Sequence, residues 1–232
     1  MKLILPAIIS ILMLSACSHD KDYRKDKKVD ITASSRITQE GLEMMTQTWP
    51  ETSKIAIQSL RARYGLPSAV TEDMVVWNQS SPFKRSIVYR EETVHQFPME
   101  HSDILLQTVD YRVPQNRVDE LARFDGSLIV DRTKGELSAR DENEQMNILA
   151  LNLADRIVRG EMTPEKARRE YRKNAEAFSM GTSNPIVTSL HFSSQENAGD
   201  PDSSMQSMEE KPQHRMHRKI KQSEDVEEVI EQ

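Results

Sequence analysis

Two histidines and an aspartate fall inside the nine-residue stretch His95-Gln-Phe-Pro-Met-Glu-His101-Ser-Asp103. Neutral imidazoles and a carboxylate are ligands for zinc or copper, and the thioether of Met99 would add a soft donor suited to reduced copper. The spacing matches no specific ligand motif. The simpler expectation is therefore a connecting loop, with Phe97, Pro98 and Met99 packed down and both histidines facing solvent or bonded to nearby backbone.

A second polar group, Asp131, Glu136, Asp141 and Glu142, surrounds a turn at Lys134-Gly135. Two such carboxylates could act as acid and base on a polar substrate only if burial or close pairing drove their pKa values apart. Arg132, Lys134 and Arg140 neutralise the neighbourhood, and Asp141 with Glu144 three residues on resembles a capping box. A solvated turn is the expectation. No glycine-rich phosphate loop, dinucleotide fingerprint or nucleophile elbow occurs. The basic run from His214 to Lys221 reads as a charge patch, and no catalytic residue is assigned.

Trp77, Lys84, Arg85 and Tyr89 suggest a third use. On an exposed hairpin edge, backbone pairing and the two aromatics could recruit a protein partner. Core packing is the ordinary expectation for the aromatics.

These residues need elements to hold them. Pro50 to Tyr64 carries Ile57, Leu60 and Tyr64 on one helical face, closed by Gly65 and Pro67. The period then changes to that of strands. Met74 to Trp77 and Phe83 to Glu91 form an expected hairpin around Asn78 to Pro82. After the polar link HQFPMEHSD, Ile104 to Val113 fits a third strand, with a short helix as the alternative. Pro114 opens a helix through Phe124 that ends at Asp125-Gly126. Leu128 to Val130 and Leu137 to Arg140 suggest a second hairpin. Met146, Leu149, Leu153 and Ile157 make a helical stripe before Gly160, and Thr163-Pro164 starts another helix carrying Ala167, Tyr171, Ala175 and Phe178. The short link between these last two predicts an antiparallel helix pair at the C-terminal end of the domain. The expected class is α+β, a small antiparallel sheet or hairpins packed against several helices.

The 232-residue chain has 37 acidic and 31 Lys or Arg residues, giving a net charge of −6. A basic nucleic-acid footprint is absent, so no nucleic-acid partner is expected. Lys2 precedes the apolar run LILPAIISILML and the small residues Ser15 and Ala16, the pattern of a cleaved secretory signal. That run is short for a stretch of about 20 apolar residues needed to span a bilayer as a helix.

Leu14-Ser15-Ala16-Cys17 resembles the lipobox of bacterial lipoproteins. The resemblance implies cleavage before Cys17, a diacylglyceryl thioether on its sulfur and acylation, such as by palmitate, of the new amino terminus. Ser18, in place of aspartate, implies delivery to the outer rather than the inner membrane, facing the periplasm. Cys17 is the sole cysteine, so no disulfide can form within the chain. The resulting organisation is a signal peptide at 1–16, a lipidated flexible tether at 17–39, one domain at 40–192 and a disordered charged tail at 193–232. The segments YGLPSAVTEDMVVW, PFKRSIVYREETVHQFP and FDGSLIVDRTKGELSAR resemble a group of uncharacterised exported bacterial proteins, which implies a domain boundary and no chemistry.

The expected function is a membrane-anchored, non-enzymatic periplasmic domain that binds a protein or another envelope component. It needs no cofactor beyond the covalent lipid. The alternative is a metal-binding protein, or a metal-dependent envelope hydrolase, built on His95 to Asp103.

Overall fold

The computed structural model describes residues 37–182 and 184–199. Cys17, the signal segment, most of the expected tether and residues 200–232 lie outside the described residues. Among those described, no helix is long and apolar enough to cross a membrane.

Thr38 accepts a hydrogen bond from Gly41 N–H and starts α1 (Gln39–Thr46), a helix that the polar sequence before Pro50 did not announce. Pro50 caps α2 (Glu51–Tyr64), and Gly65, at φ +78°, returns its N–H to the Arg61 carbonyl. That positive φ is the conformation for which glycine is the natural residue. The indole of Trp77 donates to the Gly65 carbonyl at 3.0 Å, tying the end of α2 to the sheet.

Among the described residues six antiparallel strands follow: β1 (Ala69–Val70), β2 (Met74–Asn78), β3 (Arg85–His95), β4 (His101–Asp110), β5 (Leu128–Asp131) and β6 (Glu136–Asp141). They lie in the order β1-β2-β3-β4-β6-β5. Between β4 and β5 runs α3 (Val118–Phe124); after β6 come α4 (Glu144–Val158), α5 (Pro164–Ser179) and the single turn α6 (Pro185–Thr188). The α+β class expected from the sequence is the class observed. Helices α4 and α5 pack together, but they share one cluster with α3 and α6 instead of standing apart as a closing pair.

One core cluster joins Phe83, Val109, Leu121, Phe124 and Leu137 to α4, which is buried on all sides and whose Leu149, Leu151, Leu153 and Ile157 are fully buried. Burying each such aliphatic side chain contributes roughly 1.5–3 kcal/mol. A second cluster seats Leu42 of α1 and Ile57 and Leu60 of α2 on Val75, Trp77, Val88 and Leu105 of the sheet.

Four details differ from the sequence reading. The stretch read as a polar link is the closing end of a hairpin: β3 runs on to His95 and β4 begins at His101. The N-cap of α4 is Asn143, whose side chain accepts from Met146 N–H, and Asp141 remains in the ladder opposite Leu105. The expected solvated turn is partly an interior feature, since Glu136 and Asp141 are buried. Packing also continues beyond Phe192. Gln195 N–H donates to the Asp110 carbonyl, while the Arg112 guanidinium binds the carbonyls of Asn197, Ala198 and Gly199, so the segment through Gly199 straps the turn between β5 and β6.

The β3–β4 ladder contains the irregularity that shapes the site. Val88 pairs with Leu105, and Thr93 pairs with Asp103, so residues 89–92 of β3 stand opposite Ile104 alone. Three extra residues are an odd number, which reverses the alternation of side chains along β3. Ser86 and Val88 lie on the helix-covered face before the bulge; after it Thr93, still exposed, and His95, half-buried, lie on that side, and Val94 is turned out to solvent.

Candidate metal centre

His95 and His101 are direct cross-strand partners in the last register pair of the hairpin, with ring centroids 5.0 Å apart. Asp103 stands two residues along β4, on the same face. Asp141 arrives from the end of β6, and Asp125 and Ser127 from the connection between α3 and β5. Tyr171 of α5 closes over the group, its ring 5.3 Å from that of Phe97 in the hairpin turn. Asp103, Asp125 and Asp141 are each no more than 4% exposed.

Asp103 is the hub. Its Oδ1 lies 3.0 Å from His101 Nε2, and its Oδ2 lies 3.5 Å from His95 Nδ1 and accepts a hydrogen bond from the Ser127 hydroxyl. Each imidazole turns its other nitrogen away from Asp103. His101 Nδ1 is 2.9 Å from the Met99 carbonyl, and His95 Nε2 faces Asp125 Oδ1 at 3.9 Å. Arg140 comes within 3.9 Å of Asp103 from the rim.

Burial opposes charge on His101, but the neighbouring Asp103, Asp141 and Met99 carbonyl outweigh it and push the imidazole up to about 9. Burial likewise raises Asp103, yet His101, Ser127 and His95 hold it below the ordinary carboxylate range. Burial wins at Asp141, pushed up to about 7 against the pull of His101 and the Tyr171 hydroxyl. It also wins at Asp125. Three buried carboxylates in one place therefore demand compensating positive charge, from protons or from an ion.

The geometry suits an ion. Ligand atoms of His95, His101 and Asp103 all lie within 4.8 Å of one another. Bonds of roughly 2.0–2.2 Å in a tetrahedral zinc-type sphere place ligand atoms roughly 3.3–3.6 Å apart, so the widest separation needs to close by at most roughly 1.2–1.5 Å, shared between two side chains. Moreover, His101 Nε2 and Asp103 Oδ1 face each other at 3.0 Å without hydrogen-bonding alignment, and neither atom has a hydrogen-bond partner among the described residues. Buried polar atoms left in that condition are rare and carry a cost that a cation removes. The outer contacts from Asp125 and the Met99 carbonyl are the kind that fix ring orientation in metal centres.

Of the four residues read as metal ligands, three converge. Met99 does not: its side chain is 52% exposed, and only its backbone carbonyl takes part. The interaction residues fare differently. Trp77 is buried in the second core cluster, and Lys84 and Arg85 both pair with Glu136 at 3.0 Å. Tyr89 is half-buried at the start of the bulge, its carbonyl accepting from the Ser53 hydroxyl. Sequence reasoning missed Asp125, Ser127 and Tyr171 as members of the group. They come from three separate segments, and no local spacing links them.

Compared with known proteins, the chain matches no protein-family model, no curated protein and no solved structure.

Proposed function

We propose that this domain binds a divalent transition-metal ion through His95, His101 and Asp103. The observation that carries the reading is the buried, unaligned pair His101 Nε2 and Asp103 Oδ1, set beside a second imidazole whose Nδ1 lies 3.5 Å from the same carboxylate and 3.2 Å from the Ser127 hydroxyl. Two imidazole nitrogens favour zinc, copper, nickel or iron over the oxygen-loving calcium and magnesium. With Met99 turned outward, the preference for reduced copper loses its basis.

An ion is better supported than a protein partner at the hairpin. Trp77 is inside, and the nearby cations are already paired. No catalytic role is assigned, so the reading is a binding protein. Its workplace follows from the lipobox resemblance: the domain would hang from a lipid on Cys17 and face the periplasm, more naturally at the outer membrane than at the inner one.

Elemental analysis of protein purified without a polyhistidine tag tests the site. One equivalent of a zinc-class metal per chain is expected, lost when His95 and His101 are both changed to alanine. Metal-free protein that takes up none on addition would overturn the proposal. The address is tested separately by mass spectrometry of the native amino terminus, where acyl mass on residue 17 is expected and a free thiol would refute it.

A further inference from the structure

We propose that Asp141 is the fourth ligand of this centre, presented to the ion by Tyr171, so that two imidazoles and two carboxylates hold the metal. The inference rests on the metal reading above and adds a residue that the sequence had assigned to capping.

Three buried aspartates surround the two histidines, and their orientations separate them. Asp125 faces His95 Nε2, the nitrogen turned away from Asp103, and therefore stands behind the ring. Asp141 faces His101 Nε2, the nitrogen turned toward Asp103, at 3.7 Å from its Oδ1. That separation is close to the roughly 3.3–3.6 Å edge of a tetrahedral sphere. Asp141 lies on the same side of the imidazole as the hub; Asp125 lies on the other.

The carboxylate is also fixed in that attitude. Its Oδ2 accepts the Tyr171 hydroxyl at 2.5 Å, and its Oδ1 accepts Glu142 N–H at 2.7 Å, leaving Oδ1 with a further lone pair for the ion. A ligating carboxylate that is itself hydrogen-bonded is the usual pattern in metal centres. Two carboxylates against a divalent cation make the centre neutral, which the surrounding burial favours. A cavity adjoins these residues as well. His101, Asp141 and Tyr171 line a space of about 130 Å³ together with Met146, Phe178 and Glu142.

The test uses the full-length, untagged chain in detergent, loaded with Co²⁺ and titrated against a chromophoric chelator. Wild type is compared with D141N, Y171F and D125N, with circular dichroism to verify folding. Loss of a ligand in D141N is expected to weaken Co²⁺ by about 100-fold or more and to change its visible ligand-field spectrum. Y171F and D125N, which remove outer contacts, should weaken it by roughly 10–100-fold and leave the coordination spectrum in place. Should D141N fail to fold, Y171F carries the test: affinity within about twofold of wild type would overturn the role of Tyr171 and Asp141. A folded D141N that binds as tightly as wild type with the same spectrum would sink this inference and leave the three-residue site standing. Failure of wild type to bind Co²⁺ or Zn²⁺ at all would remove both.

Discussion

His95 and His101 face each other across the final register pair of β3 and β4, and each turns one ring nitrogen toward Asp103. Two strands thereby deliver three donors to one buried point. Single replacements of His95 or His101 by alanine should each lower Zn²⁺ affinity by about 100-fold or more, beyond the roughly 10–100-fold typical of an outer contact. Competition against a chromophoric chelator reads this directly. Affinities equal to wild type in both variants would show the cluster to be a hydrogen-bonded core feature.

Met99 should be dispensable. Its thioether is in solvent, and its backbone carbonyl, the part that meets His101, survives substitution. Metal affinity of Met99→Ala is therefore expected within about twofold of wild type in the same competition assay, and a large loss would place the thioether in the sphere.

Glu136 offers a pH test remote from the centre. Burial tends to raise its carboxyl, but Lys84 and Arg85 outweigh that and hold it below its ordinary value of 4.5. A depressed carboxylate contributes stability that is full above that value and is lost as pH falls through the lowered one. Glu136→Gln should cost about 1–2 kcal/mol at pH 7, less than the 3–5 kcal/mol of a fully buried pair because Lys84 and Arg85 are about a third exposed. The deficit relative to wild type should shrink by pH 3. Urea unfolding at both pH values measures it; a deficit that grows on acidification would contradict the assignment.

Gly135 is pinned by the strap. It sits at φ +67°, and a Cβ there would lie 2.1 Å from the Ala198 carbonyl carbon. Gly135→Ala should dislodge residues 195–199 and destabilise the fold by about 1–3 kcal/mol, combining backbone strain with lost contacts. Limited proteolysis would show earlier cleavage around Gln195 to Gly199 than in wild type. Unchanged cleavage and stability would mean the strap contributes nothing.

The helices were the most legible part of the sequence. Pro50 and Gly65 bracket α2, and Thr163 with Pro164 starts α5 where the spacing placed it. The polar run around His95 was harder, because it lacks the apolar alternation by which a half-buried strand declares itself. Its pairing is set by a bulge four residues long on one side and by long-range register, neither of which local composition encodes. Asp141 was misread for a related reason. Its spacing to Glu144 fits a cap, but ladder pairing with Leu105 and the Tyr171 hydroxyl hold it in the strand, so Asn143 takes the capping role. The three candidate ligands within one segment were visible early; their convergence with Asp125 and Asp141 required the tertiary structure.

The three register pairs beyond the bulge at residues 89–92 make the centre a matter of parity. A slip of one residue in that pairing would leave the chemistry of every side chain intact and yet swing the imidazole of His95 into water, bringing Val94 inward in its place. Such a chain could keep its sheet and both apolar clusters while losing the ion, so folding and metal capture are separable by the register of one short stretch of backbone.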